Sequence, residues 1–539
     1  MLGEGDEESV SSAKAITDYS FTSPPATAMI DEDVKTITVA VPNGTDVKAL
    51  VATFTTTGSS VKVGSTVQVS GTTPNDFTSP VVYTVTAEDG TTASYTVTAT
   101  VALPSAKAIT AFSFANLPAT GAIDENAKTI TVAVPNGTDV TALVATFTTT
   151  GSSVKVGSTV QVSGTTPNDF TSPVVYTVTA EDGTTASYTV IVTVAPKAWQ
   201  TVGTAGFSVG TANYTSLAID STDAVYVAYQ DGGNSNKATV MKYTGGSWQR
   251  VGTAGFSAGE AWYVSLAVDS TDTLYVAYQD RGNSNKATVM KYTGGSWQTV
   301  GTAGFSAGTA RGVSLAIDST GEPYVAYSDW GDSGKATVMK YAGVSWQTVG
   351  TAGFTADTAQ YTSLAIDSTG TPYVAFRDYE NYGRATVMKY ATGSWQKVGI
   401  GFSASSADWT SLAIDSTDKP YVAYNDLALG SAGKATVMRY VSGAWLRVGT
   451  AGFSVSAAYY TSLAIDSTDA VYVAYQDGGN SNKATVMKYA GGSWQAVGTA
   501  GFNAGEAWYV SLAVDSTGEP FVSYSDWGNS GKVTVMEFK

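Results

Sequence analysis

Seven tryptophans, Trp199, Trp248, Trp297, Trp346, Trp395, Trp445 and Trp494, mark a repeat of 49 residues, with one interval of 50, across the C-terminal part of the chain. Each unit reads like the one at Trp297: Trp-Gln-Thr-Val-Gly, a Gly/Ala/Ser-rich stretch, Ser314-Leu-Ala-Ile-Asp-Ser-Thr, Pro323-Tyr-Val-Ala-Tyr and Lys335-Ala-Thr-Val-Met-Lys-Tyr. Short β-branched and aromatic runs between turn residues read as strands. Four of them in a period of about 40–50 residues is the pattern of a β-propeller blade. Seven units make a closed ring, a rigid frame whose function is expected in its loops.

The spacing predicts an innermost strand over Ser314–Asp318, then Tyr324–Tyr327, Ala336–Tyr341 and an outermost strand over Trp346–Gly350. The first-to-second and third-to-outer connections are tight turns and fall on one face. The longer outer-to-inner stretch and the second-to-third loop fall on the other. The last unit stops at its third strand, Val533-Thr-Val-Met-Glu-Phe-Lys539, while Trp199-Gln-Thr-Val-Gly stands alone at the start. A propeller over 197–539 is therefore expected to close by placing strand 198–203 in the final blade, which leaves no open seam.

A second repeat, with a period of 93, precedes it: Ile37-Thr-Val-Ala-Val-Pro-Asn-Gly-Thr-Asp recurs at Ile130. Residues 12–103 and 105–196 are each a series of short β-branched runs. Val82–Ala87 and Ala93–Val97 form a hairpin around Asp89-Gly90, a pair suited to the positive φ of a tight turn. Each copy reads as a β-sandwich. Pro104 and Pro196 mark short, stiff junctions.

Both copies, through Ala108-Ile-Thr-Ala-Phe-Ser-Phe and the run ending at Val190, resemble the immunoglobulin-like modules that precede functional domains in bacterial surface lipoproteins. That resemblance implies a stalk and supplies no catalytic residues. The stretch Ser363–Phe376 resembles NHL-type and related bacterial β-propeller repeats, although the 49-residue period is longer than theirs. The fold class expected is all-β: two tandem immunoglobulin-like β-sandwiches followed by a seven-bladed β-propeller. Residues 1–11 are expected to be a flexible acidic tether, the place for a lipid anchor on an exported chain whose signal has been removed.

Composition narrows the functions. A net charge of −16 argues against nucleic acid and anionic membrane surfaces, both of which need basic patches. There is no cysteine, so disulfides and thiol chemistry are excluded, and no histidine, the commonest general base and transition-metal ligand. No run of apolar residues is long enough for a transmembrane segment.

The seven units differ from one another mainly at two places on the long-loop face. Ahead of the innermost strand stand Asn213-Tyr214, Trp262-Tyr263, Arg311-Gly312, Gln360-Tyr361, Asp408-Trp409, Tyr459-Tyr460 and Trp508-Tyr509. After the second strand the loops include Trp330-Gly-Asp-Ser-Gly, Tyr379-Glu-Asn-Tyr-Gly, Leu427-Ala-Leu-Gly-Ser-Ala-Gly and Trp527-Gly-Asn-Ser-Gly. Flat aromatic faces stack on the apolar faces of sugars while amides and carboxylates bond hydroxyls. The same residue types anchor protein partners. The alternative is that these rings pack between neighbouring blades. The candidate ligand-binding set is Tyr214, Trp262, Arg311, Trp330, Tyr361, Tyr379, Tyr382, Trp409, Tyr460, Trp508 and Trp527. Trp330, Tyr379, Tyr382 and Trp527 lie in polar loops and are the ones expected to be exposed.

Each unit also carries two aspartates. One ends the innermost strand (Asp220, Asp269, Asp318, Asp367, Asp415, Asp466, Asp515) and suits a side-chain turn cap. The other ends the second strand (Asp231, Asp280, Asp329, Asp378, Asp426, Asp477, Asp526), and Lys237, Lys335 and Arg384 suggest an ion pair across the loop. Ca²⁺ binding is the less favoured reading of both sets, and no cofactor is expected. Ser328-Asp-Trp-Gly-Asp-Ser-Gly-Lys resembles the Asp-box of sialidase-type propellers faintly, without its closing aromatic.

The expectation is an exported bacterial surface protein. Its long-loop face binds glycan or protein ligands without chemistry, with several similar blades adding avidity. One alternative is a self-associating surface-layer component. The other is a polysaccharide-active hydrolase or lyase drawing on Arg311, Asp378 and Glu380.

Overall fold

The computed structural model describes residues 10–399, 401–429 and 433–539. The expected tether falls largely on residues 1–9, outside them. The described chain is all-β, its only helical elements being short 3₁₀ turns. None of its helices is long and apolar enough to cross a membrane. The chain divides into two compact units, Met1–Pro196 and Lys197–Lys539.

In the first unit, strict alternation sets the layers. In Thr36–Val41, Ile37, Val39 and Val41 are buried while Thr38 and Ala40 face out. This strand pairs in parallel with Thr92–Val101, which pairs antiparallel with Val81–Thr86. Ile16–Thr22 pairs with Leu50–Thr56, and the faces of all these strands share one core around Tyr19, Phe21, Phe77 and Tyr83. The second copy repeats this around Phe112, Phe114, Phe170 and Tyr176, with one difference. Pro25–Asp31 pairs with both of its neighbours and joins the first copy into one nine-stranded sheet. Its counterpart Ala122–Asp124 pairs only with Thr129–Val134, leaving separate sheets of three and six strands.

The second unit holds seven four-stranded antiparallel sheets. The first runs Ala212–Ile219, Val225–Asp231, Lys237–Thr244 and Ser247–Arg250. The last runs Ala507–Val514, Pro520–Asp526 and Lys532–Phe538, and Trp199–Thr201 supplies its outer strand. Second strands are buried on both faces, as in Val225–Asp231, where the apolar run Val225–Tyr229 is followed by buried Gln230 and Asp231. Outer strands are largely exposed.

Two bonds repeated at all seven junctions hold neighbouring sheets together. A serine hydroxyl on each inner strand accepts the next sheet's leucine N–H, from Leu266 to Ser216 at 3.0 Å through to Leu217 onto Ser511 at 3.0 Å, which closes the ring. At the rim, each marker tryptophan donates its indole N–H to a valine carbonyl of the neighbouring unit at 2.6–2.8 Å, as Trp248 does to Val202. Each of these indoles also stacks on a phenylalanine, Phe207 on Trp248 at 4.3 Å.

The inner strand of the third sheet spans Ala310–Ile317, starting four residues earlier than Ser314. The other strands of that sheet are Pro323–Asp329, Lys335–Ala342 and Ser345–Thr348. The early start is hidden in the sequence because a bulge between Arg311 and Ser314 breaks the alternation. The variable pairs therefore lie within the inner strand, not ahead of it.

The ion pair expected across the second-to-third loop is not formed. Asp231, Asp329 and Asp378 do stand opposite Lys237, Lys335 and Arg384. Their carboxylates turn inward instead, nearly fully buried. Asp231 accepts from Gly233 N–H (3.0 Å), Asn234 Nδ2 (2.7 Å) and Thr239 Oγ1 (2.9 Å), so neutral donors satisfy it and pin the 3₁₀ turn. The first aspartate set caps its turns: Asp220 Oδ1 accepts from Thr222 N–H, Thr222 Oγ1 and Ala224 N–H at 2.7–2.9 Å.

Candidate functional site

The bulge places the second residue of each variable pair in the left-handed region: Tyr214, Tyr263, Gly312, Tyr361, Trp409, Tyr460 and Tyr509, all with φ between 49° and 59°. Holding a residue with a Cβ there costs roughly 1–2 kcal/mol, and six of the seven units tolerate it. Interstrand bonds fix the geometry. Thr215 donates to the Tyr509 carbonyl, Thr362 to Gly312, Thr410 to Tyr361 and Thr461 to Trp409. The result is a half-buried aromatic collar. Tyr214 lies 5.1 Å from Tyr263 and 4.8 Å from Tyr509; Tyr460 lies 5.0 Å from Tyr509; Trp409 lies 5.5 Å from Tyr361 and 5.6 Å from Tyr460. Contact between rings of neighbouring sheets and partial exposure thus occur together.

Inside the collar is a cavity of about 340 Å³. It is lined by Tyr214, Tyr263, Arg311, Gly312, Ser328, Trp330, Gln360, Tyr361, Trp409, Tyr460 and Tyr509. Burial and neighbouring phenols raise the Tyr214 hydroxyl well above its ordinary range, and burial first of all raises Tyr460 to about 12. These phenols stay neutral at physiological pH and offer O–H donors on a wall that is aromatic apart from Arg311, Gly312, Ser328 and Gln360.

The first residues of the pairs bring varied chemistry, and two of them, Arg311 and Gln360, also line the cavity. Asn213 donates to Gln230 at 3.0 Å. Trp262 donates to Glu260 at 3.2 Å, and Glu260 is paired with Arg281 at 2.7 Å. Gln360 accepts from the Tyr379 hydroxyl at 3.1 Å. Asp408 pairs with Arg377, whose guanidinium lies over Tyr379. Burial raises the Asp408 carboxyl, and Arg377 opposes that only in part. Arg311 stands over the Trp330 ring at 4.4 Å.

Of the candidate set, Tyr214, Arg311, Trp330, Tyr361, Trp409 and Tyr460 line this cavity. Trp262, Tyr379, Tyr382, Trp508 and Trp527 do not. Trp508 and Trp527 make a separate tilted pair 6.2 Å apart, and Tyr382 is 88% exposed on its loop. Trp330, Tyr379 and Trp527 are exposed too. In the loop Leu427-Ala-Leu-Gly-Ser-Ala-Gly, residues 430–432 lie outside the described ones. Tyr263, Tyr509, Gly312, Ser328 and Gln360 were absent from the candidate set. The signal for three of them was the pairs themselves, whose second member is aromatic in six units and glycine in one.

The acids considered for catalysis do not gather here. Asp378 is buried and accepts from Thr386, and Glu380 faces Lys397 at 3.3 Å. Among the described residues no group of three or more acidic side chains converges to hold a metal ion.

The family model described as "SGBP, N-terminal" matches residues 16–99 and again 109–192. No curated protein matches the chain. Among solved structures, a lectin of Burkholderia pseudomallei is similar at a TM-score of 0.44 and 15% identity, over 60% of this chain and 95% of that one. The virginiamycin B lyase of Staphylococcus aureus is similar at 0.42 and 8%, over 64% of this chain and 99% of that one. A Hadza microbial sialidase is similar at 0.39 and 14%, over 76% and 75%. None of these three reaches a TM-score of 0.5, and the fold described above rests on the chain's own sheet order.

Proposed function

We propose that this chain is a cell-surface glycan-binding protein. In this reading two immunoglobulin-like modules, 12–103 and 105–196, act as a stalk for a seven-bladed β-propeller over 197–539, which holds its ligand without chemistry. The observation that carries the reading is the aromatic collar: six half-buried tyrosine and tryptophan rings around a cavity of about 340 Å³. Such a cavity lies within the roughly 300–1,000 Å³ of small-molecule sites. Apolar ring faces beside neutral phenols and an amide match the amphipathic faces of a sugar. The family match supports the same reading, since SGBP denotes a surface glycan-binding protein and both N-terminal copies carry that domain's pattern.

A glycan array probed with the full chain tests this, with a Trp330→Ala/Tyr460→Ala variant as control. Defined glycans captured by the native chain and lost in the variant are expected. Capture of no glycan by folded protein would overturn the reading and turn attention to protein partners and self-association.

A further inference from the structure

The collar is incomplete at one place. Six units put an aromatic side chain at the left-handed position, and the third puts Gly312 there. The cavity follows that gap. The third unit contributes Arg311, Gly312, Ser328 and Trp330 to its lining, the fourth Gln360 and Tyr361, and every other unit only its collar ring. The missing side chain thus opens the collar sideways onto one arginine and one tryptophan, so sevenfold repetition gives way to a single pocket.

The charge at that opening is also singular. Three arginines of this face lie over aromatic rings: Arg281 over Trp262, Arg377 over Tyr379 and Arg311 over Trp330. Arg281 is paired with Glu260 and Arg377 with Asp408. Arg311 forms no ion pair among the described residues, and its guanidinium carbon lies 4.4 Å from the centroid of a ring that is 44% exposed. A guanidinium positioned by stacking keeps its N–H fork free for a planar or tetrahedral anion. In a chain with a net charge of −16, this geometry selects for an anion at one point of the wall.

Resting on the glycan-binding reading above, we propose that the Gly312 gap is a single pocket for an anionic sugar, its ring against the collar and its carboxylate or sulfate ester on Arg311. Gly312 sets the entrance. A Cβ added there meets Thr362 Oγ1 at 3.2 Å, a contact that a small shift relieves. Moreover, Trp409, Tyr361 and Tyr509 occupy the same position beside Thr461, Thr410 and Thr215. A tyrosine at 312 is therefore compatible with the fold and would complete the collar.

The test is NMR titration of the full chain with three ligand sets. They are hexuronate oligosaccharides, their neutral hexose counterparts and 6-sulfated hexose oligosaccharides. The expected result is at least 10-fold tighter binding of one anionic set than of the neutral set. Arg311→Gln should erase that preference, and Gly312→Tyr should weaken binding at least 10-fold while the chain still folds, its melting temperature lowered by about 2–5 °C for the left-handed Cβ. Which anionic set binds tells carboxylate from sulfate. Equal binding of neutral and anionic sugars, or full binding by Gly312→Tyr, overturns the pocket while glycan binding stands. If no sugar binds, both readings fall.

Discussion

The indole N–H of Trp199 donates to the carbonyl of Val497 at 2.7 Å, joining residues 298 positions apart. The same ring stacks on Phe502 at 4.0 Å. Trp199–Thr201 pairs with the C-terminal strand as the outer strand of the last sheet, and this contact seats it against the chain that follows the sixth sheet's outer strand, Ser493–Ala496. Trp199→Ala removes both the stack and the bond and should cost about 3 kcal/mol. Trp199→Phe keeps an aromatic face and should cost about 1 kcal/mol. Denaturant melts of the two variants check this, and equal melts for all three proteins would show that closure does not depend on the contact.

The inner belt makes a second prediction. Ser314 Oγ accepts the Leu364 N–H at 3.0 Å between two inner strands. Ser314→Ala leaves that buried donor without its acceptor, at a cost of roughly 1–3 kcal/mol. Hydrogen exchange at Leu364 should accelerate more than at Leu463, whose partner Ser411 is untouched. Equal protection at both amides would contradict the assignment.

Acid should weaken the ring through its turn caps. Burial alone would raise the Asp318 carboxyl, but bonds from Thr320, Glu322 N–H and Lys340 outweigh it, so it lies below its ordinary 3.8. Asp220, Asp269, Asp415 and Asp466 share this balance. For a depressed folded value the unfolded chain binds more protons. The stabilisation is therefore complete above the unfolded value and is lost as pH falls through the folded one. Melting temperature should hold at neutral pH and drop steeply below about pH 4. Asp318→Asn should flatten part of that drop.

Collar residues should be separable from exposed loop aromatics. Tyr214→Ala or Tyr460→Ala should weaken glycan capture at least 10-fold, a hot-spot effect of roughly 1.4 kcal/mol or more. Tyr460→Phe keeps the stacking face and should retain most of it. Tyr382→Ala, outside the cavity, should leave binding unchanged. Equal losses in Tyr382→Ala and Tyr460→Ala would place the ligand on the loops instead of the collar.

The period of the tryptophans and the alternation in runs such as Thr36–Val41 made an all-β chain legible, because side-chain period and turn chemistry are local properties. The exposure of Trp330, Tyr379, Tyr382 and Trp527 was legible for the same reason, since each sits in a polar loop. The bulge at Arg311–Ser314 was not. It turns neighbouring side chains in directions that neither period describes, so Trp262 looked like the cavity residue while Tyr263 occupies that place. The expected ion pairs of Asp231, Asp329 and Asp378 failed because pairing opposite a lysine or arginine in register does not fix which way a carboxylate turns. Sequence by itself determined the strands, the repeat and the residue types on the loop face. Only the tertiary structure decided that six aromatic residues meet in one collar, that the cavity opens at Gly312, and that Arg311 stands over Trp330 with no carboxylate paired to it among the described residues. The collar joins units tens to hundreds of residues apart and exists only once the ring has closed, while the Arg311–Trp330 contact depends on how the bulge turns a side chain within one sheet.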